Sequence, residues 1–193
     1  MKVVVIKYNS GNVQSVLFAL ERIGVKGILS DYREEISKAD KVIFPGVGEA
    51  SSAMRYLREK KLDEVIKNLK QPTLGICLGM QLMCKYSEEG NTECIGIFDE
   101  HVKLFNGEMK VPQIGWNNIF NLKSNLFKGV KEKEYMYFVH GYCVGKNTFS
   151  IAQTNYGFDY CSAMQKDNFY AVQFHPEKSA EAGQKILENF ISL

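Results

Sequence analysis

Long apolar runs are missing from this chain. No stretch approaches the roughly 20 residues a membrane helix needs, and Met1-Lys2-Val3 opens a strand, not a secretion signal. A CxxC pair is missing too, and five cysteines is an odd number, so neither a zinc site nor a disulfide framework is expected. Reduced thiols point to the cytoplasm. Charge of one sign is not in excess: 24 Lys and Arg against 22 Asp and Glu leave +2, too little to suggest a nucleic-acid partner. Internal repeats and low-complexity segments are absent, histidines number only three, and no spacing calls for a metal or a cofactor. What is there is 193 residues at 45% apolar and 24% charged, enough to bury a sizeable core. The expectation is one soluble domain over 1–193.

The most informative stretch is Gly75-Ile76-Cys77-Leu78-Gly79-Met80-Gln81. Residues 73–76 read as a short buried strand and 78–83 as the helix after it, with Cys77 in the sharp turn between them. The flanking glycines have the spacing of a nucleophile elbow, with cysteine in the serine position. A side chain at either glycine would collide with neighbouring backbone. At a helix N-terminus, free N–H groups and the dipole favour thiolate over thiol. The plain alternative is an inert cysteine buried at a strand end.

A thiol nucleophile needs a base, and the base needs an orienting group. Ala171-Val172-Gln173-Phe174-His175-Pro176-Glu177 offers both. Tyr170, Val172 and Phe174 alternate with Ala171 and Gln173, which suggests a strand delivering His175 at its end. Pro176 holds an extended turn, and Glu177 then comes near enough to orient the imidazole. The alternative for His175 is a packed or helix-capping histidine.

Strands expected at 2–6, 27–30 and 39–44 alternate with helices. Val13, Val16, Leu17, Leu20 and Ile23 give one helical face, stopped by Gly24; further helices are expected at 49–60 and 62–69. This alternation predicts an α/β fold with a doubly wound, mostly parallel sheet flanked by helices, its ligand site at the carboxyl ends of the strands. Pro45-Gly46-Val47-Gly48 closes one strand beside the elbow, where a backbone N–H could turn toward a reacting carbonyl; a plain turn is the alternative. After Tyr86 the helical period fades. Short strands at 102–105, 117–122, 135–139, 149–154, 158–164 and 169–174, separated by turn pairs such as Asn106-Gly107, predict an added antiparallel layer. A helix at 180–191 closes the chain.

Taken together, Gly75-Ile76-Cys77-Leu78-Gly79-Met80-Gln81 and His175-Pro176-Glu177 resemble the triad, or class I, glutamine amidotransferases. Phe44-Pro45-Gly46-Val47-Gly48, Pro112-Gln113-Ile114-Gly115-Trp116-Asn117, Tyr137-Phe138-Val139-His140-Gly141-Tyr142 and His175-Pro176-Glu177-Lys178-Ser179 resemble, within them, the glutaminase subunits of imidazole glycerol phosphate synthase. The resemblance spans about 3–192 in the family's order. It implies hydrolysis of L-glutamine through a Cys77 thioester, with His175 as base and Glu177 as its orienter. It implies oxyanion donors at Val47 and Leu78, and glutamine contacts from Gly48, Gln81, Glu89, Gly141 and Tyr142. Glu89 would pair with the α-ammonium of the substrate; otherwise it is a solvated loop carboxylate. It also implies a TIM-barrel cyclase as heterodimer partner, docked over Asn12, Trp116, Tyr137 and Lys178 and taking the ammonia for histidine synthesis. Without the family, Trp116 reads as a core indole and Lys178 as a solvated charge.

Three residues depart from the family's pattern. Lys7 stands where an acidic residue is common, Gln113 where histidine is, and Gly141 where threonine is. They bear on the partner more than on the chemistry, and a paralogous pair in surface-polysaccharide amino-sugar synthesis resembles the same family. A non-catalytic regulatory subunit is the remaining alternative, and an intact Cys77-His175-Glu177 set counts against it.

Overall fold

The computed structural model describes residues 1–106 and 109–193. In chain order its elements are β1 (Val3–Ile6), α1 (Val13–Arg22), β2 (Gly27–Ser30), α2 (Arg33–Ser37), β3 (Lys41–Phe44), α3 (Ala50–Glu59), α4 (Leu62–Lys67), β4 (Thr73–Ile76) and α5 (Leu78–Met83). There follow β5 (Tyr86–Ser87), β6 (Thr92–Glu93), β7 (His101–Leu104), β8 (Gln113–Ile119), β9 (Glu134–His140), β10 (Tyr142–Val144), β11 (Ser150–Tyr156), β12 (Phe158–Lys166), β13 (Phe169–Val172) and α6 (Ala180–Ser192).

Every residue of β1, β3 and β4 is buried. Strands without a wet face belong in the middle of a parallel sheet covered on both sides. The parallel order is β2-β1-β3-β4-β13, so the strand carrying Phe169 to Val172 pairs directly with the one leading to Cys77. One face packs Val4, Ile6, Val42 and Phe44 against side chains of α2 to α5. The other packs Val3, Val5, Ile43 and Ile76 against Val16 and Leu20 of α1 and Ile186, Leu187 and Phe190 of α6. The chain crossings leave Cys77, the Pro45–Val47 segment and His175 at the carboxyl ends of adjacent strands, which is where open α/β sheets place ligands.

The rest of the β structure, antiparallel but for the parallel β5–β7 pair, divides in two. Strands β12, β10, β7, β5 and β6 prolong the sheet past β13, with β11 on β12, while β8 and β9 form a separate two-stranded ribbon. The ribbon starts at Gln113, earlier than the expected 117, because Ile114, Gly115 and Trp116 pair with Val139, Phe138 and Tyr137. Polar α2, with Ile36 its one buried side chain, and the two- or three-residue strands β5, β6 and β10 gave too little periodicity to be expected. Gly24 does end the first helix, at φ +75°. The turn expected at Asn106-Gly107 reaches outside the described residues.

Candidate active site

Cys77 sits between β4 and α5 at φ 52°, ψ −105°, a left-handed strain that non-glycine residues hold only when their surroundings force it. Its N–H donates to the Val172 carbonyl at 2.8 Å, which ties the elbow to β13. A Cβ on Gly75 would press on the backbone of Gly79 and Met80, and one on Gly79 would run into the Phe44 carbonyl. Both glycines are therefore steric requirements of the turn.

The end of β13 brings His175 and Glu177 to the same place. His175 donates from Nδ1 to Glu177 Oε1 at 2.7 Å, and both side chains are fully buried. That bond fixes the tautomer and leaves Nε2, buried and without a hydrogen-bond partner among the described residues, free for the thiol. Burial opposes a charge on this imidazole, but the Cys77 sulfur and the Glu177 carboxylate outweigh it and lift His175 to about 10. His175 thus keeps its proton at neutral pH. At the other four cysteines burial pushes the thiols up, to about 12 at Cys94, Cys143 and Cys161, and upward at Cys84 as well.

A cavity of about 190 Å³ opens beside Cys77, and Val47, Gly48, Leu78, Gln81, Glu89, Gly141 and Tyr142 all line it. Larger clefts of about 490 and 510 Å³ lie beside α1 and beneath Trp116, but neither is lined by a cysteine or histidine among the described residues. Glu89 accepts from the Ala50 N–H at the start of α3 at 2.8 Å. Burial raises its proton affinity in spite of that bond, so it gains from a cationic partner. Gln81 donates to the Tyr142 carbonyl and to Gln173 Oε1, both at 3.1 Å.

The two backbone donors expected for an oxyanion are both engaged elsewhere. Val47 N–H donates to Ser10 Oγ at 2.7 Å, and Ser10 Oγ donates in turn to the Val47 carbonyl at 2.8 Å. Leu78 N–H donates to the Gly46 carbonyl at 3.3 Å. The Gly46 carbonyl and the Val47 N–H belong to one peptide unit. Tyr8, buried, donates to the Pro45 carbonyl at 2.7 Å, and a Cβ on Gly46 would strike its hydroxyl.

Asn12, Trp116, Tyr137 and Lys178 gather on one surface next to this site. Trp116 is 53% exposed, so it is not a core indole. It stands opposite Tyr137 across the ribbon, rings 6.1 Å apart, and Lys178 lies 5.9 Å above the Tyr137 ring. The patch also touches the site directly: Asn12 Nδ2 donates to Glu177 Oε1, and His175 N–H donates to the Tyr137 carbonyl at 2.9 Å. Of the departures from the family's pattern, Gln113 is buried, accepting from Tyr160, which reaches His140 Nε2 at 3.2 Å. His140 is a packed histidine, its Nδ1 2.7 Å from the Tyr142 carbonyl, and the His101 ring lies 5.5 Å from that of Tyr86.

Sequence reasoning passed over Ser10, Tyr8, Val139 and Gln173. The last had a signal. Period-two alternation would set Gln173 on a wet face, yet it is fully buried, as is Ala171. A polar residue in a strand that central needs partners inside the protein.

The glutamine amidotransferase class-I family profile matches residues 4–193. The imidazole glycerol phosphate synthase subunit HisH of Bacteroides fragilis is 56% identical over 196 residues, with all of both chains covered. Its Escherichia coli counterpart is 44% identical at the same coverage. The solved structure of PurLQS from Thermotoga maritima superposes with a TM-score of 0.73, covering 99% of this chain and 97% of that one; at 15% identity it speaks to the fold alone. The chain is a class-I glutamine amidotransferase and belongs, within that family, with the HisH subunits of imidazole glycerol phosphate synthase.

Proposed function

We propose that this chain, acting as one domain over 1–193, hydrolyses L-glutamine in the cytoplasm and passes the ammonia to a TIM-barrel cyclase. The heterodimer, a lyase overall, makes imidazole glycerol phosphate for histidine synthesis. In this reading the Cys77 thiolate attacks the side-chain amide carbon of glutamine. His175 gives its proton to the departing ammonia, then takes one from the water that hydrolyses the thioester. Glu177 keeps the imidazole oriented, and the chemistry uses no metal or cofactor. The observation that carries the reading is the buried His175–Glu177 pair beside Cys77 at the mouth of a cavity. Gly48, Gln81, Glu89, Gly141 and Tyr142 hold the substrate, with Glu89 on its α-ammonium.

Ammonium is no nucleophile, so ammonia released to water is wasted and the partner must cover the cavity. Asn12, Trp116, Tyr137 and Lys178 form the docking patch. Turning the Gly46–Val47 peptide would withdraw the carbonyl from Leu78 N–H and free Val47 N–H, giving the oxyanion its donors. One such donor is worth about a hundredfold to a thousandfold in turnover. The test is steady-state glutamine hydrolysis by the chain alone, with the cyclase, and with the cyclase plus its own ligand. Low basal turnover that rises by about that factor in the last arm is expected. Full activity of the isolated chain would overturn the coupling, and none in any arm would overturn the glutaminase reading.

A further inference from the structure

Gln173 is fully buried two residues before His175, and its carboxamide Nε2 lies 3.7 Å from Cys77 Sγ. Which end of an amide faces a neighbour has to be argued from the network around it. Here a backbone carbonyl decides. Tyr142 C=O can only accept, so the Gln81 group 3.1 Å away must be its NH₂. The second hydrogen of that NH₂ points to Gln173 at 3.1 Å, which must therefore present its oxygen. Gln173 is left with its NH₂ toward the sulfur. The same logic leaves Gln81 Oε1, its hydrogens both used, as the acceptor it offers to the cavity.

An N–H donor next to sulfur favours the thiolate, because a thiol has little use for it as an acceptor. The other polar neighbour works the opposite way. Val139 C=O is also 3.7 Å from Sγ and favours S–H. The titratable groups nearby are His175 from the end of β13, Tyr8 from the end of β1, and Glu89 and His140 on the cavity wall. Of these only His175 supplies positive charge, and it gives its proton to the leaving ammonia while the sulfur is bonded to the substrate carbon. When hydrolysis of the thioester expels the sulfur again as thiolate, a donor that cannot itself be deprotonated still faces it.

We propose that Gln173 is a further catalytic residue, donating its carboxamide N–H to the Cys77 sulfur to hold the thiolate, with its orientation relayed from Tyr142 C=O through Gln81. The proton that Cys77 loses goes to His175 Nε2, and Gln173 exchanges none. This rests on the reading of Cys77 as the nucleophile. It adds a link between the substrate-lining Gln81 and the charge on that nucleophile.

The test is the pH dependence of Cys77 alkylation by iodoacetamide in the isolated chain, followed by mass spectrometry of its peptide. No glutamine turnover and no partner are needed, so a failure here is separate from a failure of the glutaminase reading. Gln173→Met keeps the volume and removes the donor; the alkylation midpoint should rise by about one pH unit, a tenfold loss of thiolate. Gln173→Glu should raise it further, by setting a carboxylate against the sulfur. Circular dichroism and thermal melting establish that each variant is folded. Gln81→Met leaves Gln173 in place but frees its amide to turn, and should raise the midpoint by a smaller step; it decides the matter if neither Gln173 variant folds. Folded variants whose profiles superimpose on the parent's would overturn the proposal.

Discussion

The two sides of the candidate site are in different states of readiness. On the sulfur side, His175 and Glu177 are buried in contact at 2.7 Å, the ring is held in orientation, and burial is outweighed so that the imidazole is lifted to about 10. On the oxyanion side, Val47 N–H is held by Ser10 and Leu78 N–H by Gly46. In the proposed reading the base is thus in place while the oxyanion donors are not. The difference points to backbone dipoles, not to the placing of the base, as what a partner would control.

Breaking the ready side should give the largest effect. Cys77→Ala should lower glutaminase turnover of the partner-bound chain on the order of a hundred-thousandfold, to the assay's background. Labelling by a glutamine-like electrophile should vanish with it, since burial keeps the other four thiols protonated. Labelling of Cys84, Cys94, Cys143 or Cys161 in the parent, with Cys77 untouched, would contradict this. Glu177→Gln keeps an acceptor for Nδ1–H but removes the charge, and turnover should fall by about a hundredfold. A loss as deep as that of Cys77→Ala would give Glu177 some further role.

Releasing the unready side should have a smaller effect of opposite sign. Ser10→Ala removes the hydroxyl that grips Val47 at both its N–H and its carbonyl. Partner-free turnover should rise by about tenfold, with the KM for glutamine little changed, because only part of the peptide population turns without the partner. Unchanged turnover in a folded variant would mean that Ser10 is not what holds the segment.

The smallest effect separates the two buried histidines. Burial, aided by the charge on His175, pushes His140 down to about 4. The unfolded chain takes up that proton near 6.5, the folded chain only near 4. Stability therefore falls as pH drops through that interval, by on the order of 3 kcal/mol at its lower end. His140→Gln should flatten the dependence of melting temperature on pH there, and a profile as steep as the parent's would assign the acid lability to other groups.

How much of this was legible in the chain follows from the range of the forces involved. The elbow could be read because two glycines around a cysteine make a local spacing, although Gly79 answers to Phe44, far off in sequence. Strands β1 and β3 could be read because burial on both faces leaves an apolar run, whereas β13, expected in the antiparallel layer, lies parallel to β4, since its alternating pattern does not show which neighbour it takes. The three triad positions were expected from motifs, and the fold brings them together. Ser10 and Tyr8 were not seen, since a hydroxyl in a loop has no period and its partners lie 37 residues away. Gln173 stands inside the His175 motif, where alternation marks it only as the polar half of a strand. Trp116 was ambiguous for the converse reason: an indole is as much at home in a core as on a docking surface, and only the pairing of β8 with β9 turns it outward.

The Gly46–Val47 peptide has one more implication, for how activation should look to an observer. The Gly46 carbonyl on Leu78 N–H and the Val47 N–H on Ser10 share a single rigid plane, so the proposed oxyanion hole would hold either its full set of donors or none. Such a device behaves as a two-position switch, not a dial. Titrating the loaded partner should raise the number of active molecules while each works at full rate. Single-turnover traces at partial saturation would then split into a fast and a slow population, instead of sliding together toward an intermediate speed.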